Sequence, residues 1–129
     1  MMTYKMTEEL ARVLTEDLLD ECWHETIVSD FASMKVECKH CHISIYSTKW
    51  RHKKFTTPSD QKAVMRKLVD KGLWDEFERW CFAVWLKDTE SGLLSEYFSW
   101  LFLEEERFCV LAAQFMEERR KESELSFSI

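Results

Sequence analysis

A mainly α fold is predicted: a compact helical domain of four to five helices carrying a small Cys/His-rich β-hairpin insert. Three observations predict it. Apolar residues recur at spacings of three and four over most of the chain, the period of an amphipathic helix. Gly occurs twice and Pro once, too few for a sandwich of tight turns or for Gly-rich phosphate loops. Residues 21–57 interrupt the helical period with Cys, His, Lys and Thr.

The elements follow in order. Residues 7–20 are the first helix, with Thr7 as N-cap, Glu8 and Glu9 at its positive end, and Leu10, Val13, Leu14 and Leu18 on one stripe. In the insert, Ile43 and Ile45 alternate with Ser44, which suits a strand at 43–47. A partner strand at 33–37 makes a hairpin around a Cys38–Cys41 turn. Thr57-Pro58-Ser59-Asp60 is a helix start. That helix runs to Lys71 with Ala63, Val64, Leu68 and Met65 inward, and Gly72 suits its left-handed cap. The next helix begins near Trp74 and shows Trp74, Phe77, Cys81, Val84 and Trp85 on one face. A shorter helix covers 93–102. The last runs from about 104 to 121, acidic at its start and basic at its end, with Phe108, Leu111, Ala112, Phe115 and Met116 apolar. One domain, 1–129, therefore divides into a first helix (7–20), a zinc-knuckle-like insert (21–57), a helical core (58–122) and a frayed tail (123–129). With 129 residues and 46% hydrophobic side chains, the chain can bury a core without disulfides.

The net charge of −6 disfavours general binding to polyanions, but it is unevenly spread. Residues 1–30 sum to −6, residues 31–72 to +7 and residues 73–129 to −7. An odd cysteine count of five, with no signal-like start and no apolar run of membrane-spanning length, points to a cytoplasmic protein in a reducing compartment. There, close cysteine pairs mean metal more often than disulfide.

Cys22-Trp-His24 is followed by Cys38-Lys-His-Cys41. This C-x-H…C-x-x-C pattern offers three thiolates and one imidazole, the ligands zinc favours in a tetrahedral site. A C-x-x-C turn can place two sulfurs on one ion because its amides fold back towards them. An insert this poor in apolar residues needs a source of order, and a structural ion supplies it. Other readings stay open: Cys22 as a core residue beneath Trp23, Cys38 and Cys41 as ordinary thiols, a redox dithiol, or His40 or His42 in place of His24. Cys81 and Cys109 fall on apolar helix faces and read as small hydrophobes.

The segment Lys49-Trp50-Arg51-His52-Lys53-Lys54-Phe55 interleaves cations with aromatics. It reads as a partner contact through Lys49, Trp50, Arg51, Lys53 and Lys54, or as a solvated loop anchored by its aromatics. Acidic runs at 16–25 and 104–106 read as solvated helix faces before phosphate mimics. Trp74, Trp80, Trp85 and Trp100 sit at helical spacings and read as core. Trp80 lies off the main stripe and, if exposed, is an interface anchor. No hydrolase triad, P-loop or dinucleotide fingerprint is present in the sequence.

Cys22-Trp-His-Glu25, Cys38-x-x-Cys41 and Phe55-Thr-Thr-Pro58-Ser-Asp60 together resemble a group of small uncharacterised bacteriophage and prophage proteins. The closing run Trp100-Leu-Phe-Leu-Glu-Glu-Glu-Arg107-Phe-Cys-Val-Leu-Ala-Ala-Gln-Phe115 resembles theirs as well. The likeness spans residues 22–116. It implies a phage origin and a zinc site, and no reaction. His42 stands where Gly often follows such a knuckle, which bears on the turn geometry. The expected function is a non-enzymatic interaction protein acting in the host cytoplasm, with no membrane contact. It would bind a host protein and inhibit a defence system such as CRISPR. The alternative is a zinc-stabilised nucleic-acid-binding accessory module using the basic segment.

Overall fold

The last helix explains the arrangement of the others. In α5 (Glu105–Phe127), six consecutive residues, Phe108 to Ala113, are buried, so this part of the helix is covered on every side. Its second half carries Glu117, Glu118, Arg119, Arg120 and Lys121 and faces outward more. Around it lie α1 (Glu8–Val13), α2 (Pro58–Asp70), α3 (Trp74–Asp88) and α4 (Leu94–Phe102), all of which contact it. The computed structural model describes residues 4–24, 27–30, 32, 34–46, 52–88 and 94–127. No helix among them is long and apolar enough to cross a membrane.

The molecule is mainly α with a small Cys/His-rich β element, as the sequence predicts. Thr7 caps α1, its hydroxyl accepting the Leu10 N–H at 3.2 Å. After Val13 the helix widens into a π-helical turn, Leu14–Leu18, in which the Leu19 N–H reaches back to the Leu14 carbonyl at 2.9 Å. The period-3.6 pattern of residues 7–20 does not reveal this widening. Buried Thr15 donates its hydroxyl to the Ala11 carbonyl at 2.9 Å, and the turn keeps Leu14 and Leu18 fully buried.

α2 starts on a full capping box between Thr57 and Asp60 with Pro58 in the first turn. Gly72 at φ 69° then ends the helix region in the left-handed conformation. Ala63 is exposed rather than inward; Val64 and Leu68 alone among the α2 residues are fully buried. Gln61 and Arg107 satisfy the last carbonyls of α4, donating to Phe102 at 3.1 Å and Trp100 at 2.8 Å. α5 continues to Phe127, into the segment expected to be frayed.

The β element is a three-stranded antiparallel sheet of β1 (Ile27–Asp30), β2 (Lys35–Cys38) and β3 (Ser44–Tyr46), with β2 in the centre. The hairpin of β2 and β3 is the expected one. β1 is an addition, pairing Ile27 with Cys38 and Asp30 with Lys35. Along β2, Val36 and Cys38 are buried while Lys35 is exposed, the alternation of a one-sided strand.

At the centre, Phe77 is fully buried and packs edge-on against Phe108 and Phe115, with centroids 5.5 and 5.4 Å away. Phe77→Ala should cost about 3–5 kcal/mol in denaturant unfolding. Ala63→Ser, on the exposed face of α2, should stay within about 0.5 kcal/mol.

Candidate metal centre

The chain reaches the site by leaving the π-helical turn through Asp20, which adopts φ 56°. Lys71, at the end of α2, holds that turn: its ammonium lies 2.7 Å from the Asp20 carboxylate and 3.4 Å from the Asp17 carbonyl. The Lys71 hydrogen bond also lowers the Asp20 pKa. Next come Cys22, Trp23 and His24. Trp23 is only 5% exposed, belongs to the helical core, and stacks on the His52 imidazole at 3.7 Å and 12°. The middle residue of this tripeptide is thus an anchor, and its two neighbours reach the cluster.

The other half-site is the turn between β2 and β3. The His42 N–H donates to the Cys38 carbonyl at 2.8 Å, and the Cys38 N–H to the Ile43 carbonyl at 3.0 Å. His42 has φ 63°, so it takes the left-handed conformation that Gly supplies in such turns, at a cost of about 1–2 kcal/mol. The departure from the knuckle pattern thus leaves the turn intact. His24 is left-handed too, at φ 61°.

These two segments bring four side chains together. Cys22 Sγ and Cys38 Sγ are 3.7 Å apart, and Cys41 Sγ and His24 Nδ1 are 3.3 Å apart. One ligand atom from each of Cys22, His24, Cys38 and Cys41 lies within 4.8 Å of all the others. Cys38 is buried, Cys22 and His24 are half-buried, and Cys41 is exposed, so the cluster has one solvent-facing edge. Three thiols and an imidazole in this arrangement can hold a metal ion.

The backbone prepares the sulfurs for charge. The His24 N–H donates to Cys22 Sγ at 3.3 Å. The Cys41 N–H, foremost, lowers the Cys38 pKa; burial opposes it, while the His24 side chain and the His40 N–H add to it, and the thiol is brought to about 6. At Cys22 the His24 N–H pulls downward, but burial and the adjoining Cys38 and Cys41 thiols prevail and raise it. The surroundings therefore favour the thiolate at Cys38 and disfavour it at Cys22.

The remaining candidates separate cleanly. His40 is exposed, and His42 Nδ1 lies 3.5 Å from a Glu37 carboxylate oxygen, so His24 is the imidazole that enters the cluster. Cys81 and Cys109 are buried among helices, and burial pushes both thiols up, Cys109 to about 12. In the basic segment, Lys49, Trp50 and Arg51 lie outside the described residues. Lys53 pairs with Glu21 at 3.2 Å, and Lys54 is exposed. With Trp23 and His52, these two lysines line a cleft of about 530 Å³ beside α1. Trp80 is half-buried against Phe115 and donates to Glu118, so it is not a free anchor. The Trp23–His52 stack had no sequence signal, because its partners lie on either side of the whole β element.

No known protein family, curated protein or solved structure matches the chain. The chemistry of the cluster stands on its own geometry.

Thiol alkylation read by mass spectrometry distinguishes the two cysteine classes. In folded, chelator-treated protein, exposed Cys41 and half-buried Cys22 should be modified, and buried Cys38, Cys81 and Cys109 spared until denaturant is added. Loading with a divalent metal should protect Cys22 and Cys41. Modification of Cys81 at the rate of Cys41 would refute this division.

Proposed function

We propose that the cluster holds one structural zinc ion and that the chain is a non-enzymatic interaction protein of bacteriophage type that binds a host protein. The observation that carries the zinc assignment is the pair of ligand separations. Zinc–sulfur bonds of about 2.3 Å and zinc–nitrogen bonds of about 2.0–2.1 Å set tetrahedral neighbours about 3.8 Å apart for two sulfurs and about 3.5 Å for sulfur and nitrogen. The corresponding distances are 3.7 Å between Cys22 and Cys38 and 3.3 Å between Cys41 and His24. Four protein ligands complete the shell, which suits a structural ion. When bound, the ion supplies folding energy to the β element, and its affinity falls on acidification because the thiols must be deprotonated.

The interaction role is supported by the resemblance over residues 22–116, the segregated charge and the four-ligand shell, which favours scaffold over catalyst. A component of a host defence system such as CRISPR is the partner class in keeping with a phage origin. The competing role, a nucleic-acid-binding accessory module, rests on Lys49–Lys54. The Lys53–Glu21 ion pair counts against it by neutralising one cation of that segment.

Elemental mass spectrometry on untagged protein should find one zinc per chain. Cys38→Ser should weaken zinc binding by more than about 100-fold, since even changes to groups behind the ligands cost about 10–100-fold. A fully loaded Cys38→Ser protein would overturn the site. For the partner, capture from nuclease-treated host lysate should retain one host protein, whereas retention that vanishes with nuclease would favour the nucleic-acid role. In that role, duplex or single-strand binding at low salt should be measurable and should fall steeply as salt rises.

A further inference from the structure

A second surface, made by α3 and α4, shares no residue with the Cys/His cluster. On α3, Asp75, Glu78, Arg79 and Phe82 follow one another at helical spacing along one stripe. Leu94, Tyr97 and Phe98 of α4 complete a groove of about 670 Å³. That volume lies within the range of about 300–1,000 Å³ typical of binding clefts. Its Tyr97 is fixed: the ring is 2% exposed, packs edge-on to Phe82 at 5.2 Å, and the hydroxyl donates to the Glu78 carbonyl at 3.1 Å.

Above this floor the walls are apolar and open. Phe82 is 36% exposed, Phe98 48% and Leu94 59%. Leu86, one turn beyond Phe82 on α3, is 51% exposed and lengthens the same edge. Among the described residues, half of the large hydrophobic side chains left exposed therefore sit on these two helices. Apolar side chains gathered along one groove mark an interaction surface, whereas scattered ones do not.

The groove also has an acidic end. Together α3 and α4 carry Asp75, Glu76, Glu78, Asp88 and Glu96 against Arg79 and Lys87, a balance of −3. Glu76 is engaged by Arg119 of α5. Arg79 turns back along its own helix, its Nε 3.4 Å from the Asp75 carbonyl. Asp75 and Glu78 line the groove with Arg79, at the opposite end of the α3 stripe from Leu86. From Asp75 to Leu86 the stripe is about 16 Å long at 1.5 Å per residue, room for about three turns of a seated helix.

We infer that this groove seats an amphipathic helix of a partner protein, with large apolar side chains against Phe82, Leu94 and Phe98 and a Lys or Arg against Asp75 and Glu78. The inference rests on the protein-binding role proposed above and names the surface and the chemistry of the partner. Packing of apolar side chains at helical spacing supplies affinity in such a groove, and the charged end fixes direction.

The probe is a displayed library of amphipathic helical peptides, selected on the zinc-loaded full chain. Enriched peptides should carry two or three large apolar residues at spacings of three and four, with Lys or Arg at one end. Phe98→Asp, at an exposed position, should weaken them at least about 10-fold. Asp75→Lys with Glu78→Lys should weaken them about 5–10-fold and shift selection to acidic peptides. Circular dichroism melting should show both variants folded, and Phe98→Leu should retain binding. No enrichment, enrichment of acidic peptides, or equal binding to Phe98→Asp would overturn the inference. So would self-association of the wild-type chain that Phe98→Asp abolishes, because a second copy would then occupy the groove. The two proposals fail separately. A host protein captured equally by wild type and Phe98→Asp leaves the protein-binding role standing and removes the groove. Enriched basic peptides that bind through Phe98, with no host protein captured, remove the host-protein role and leave the groove.

Discussion

The β element is a sheet of three short strands. They contain four, four and three residues, and among the strand side chains described, Val36 and Cys38 are buried. Sheets of this size need a covering layer or a cross-link to persist. The convergence of Cys22, His24, Cys38 and Cys41 answers that need by joining the entry segment to the central hairpin. A zinc ion there would tie two segments that the chain separates by more than a dozen residues. The positive φ values at His24 and His42 fit the same constraint, because strained backbone persists only where its surroundings hold it.

The helical body decides where the element sits. Trp23 and Phe55 flank the β element in sequence, and both belong to the helical core. Phe55 is 1% exposed despite a left-handed backbone. Stacking of Trp23 on His52 then closes the base of the element, since it links the entering and leaving chain. The π-helical turn directs the chain towards this base, and Lys71 and Arg120 reach Asp20 and Asp17 around it. Single surface ion pairs contribute little, but these two brace one bend from separate helices. The ligand cluster is thus positioned by the same packing that stabilises the helices.

The two candidate surfaces divide the chemistry of the molecule. At one, sulfur and imidazole converge with backbone amides aimed at the thiols, an arrangement suited to a cation. At the other, aromatic and aliphatic side chains stand open beside carboxylates, an arrangement suited to an apolar, basic segment. The packed pair α3 and α4 that forms the second surface is held by Trp85, Tyr97 and Leu101, all buried. Its exposed edge can therefore present a fixed shape, which lowers the ordering cost of binding.

Much of this was legible along the chain because local chemistry specifies it. The start of α2 follows from Thr57, Pro58 and Asp60, which act on neighbouring amides. The left-handed turn at Gly72 follows from the absence of a Cβ. The three thiols and the candidate imidazoles follow from two short motifs, one of which bends the backbone round its own sulfurs. Other features depend on partners far away in sequence. Burial of α5 on all sides requires four other helices, so a single apolar face understated it. Ala63 carries no information beyond its small size, and packing left it outside. The π-helical turn, β1 and the choice of His24 over His40 and His42 each depend on which segment lies opposite. The sequence by itself thus determined the helices, their caps and the metal-ligating residue types, since these arise within a few residues. Only the tertiary structure decided which imidazole meets the three sulfurs and which apolar residues stay exposed, because both are set by contacts between segments that the period of a helix or strand does not encode.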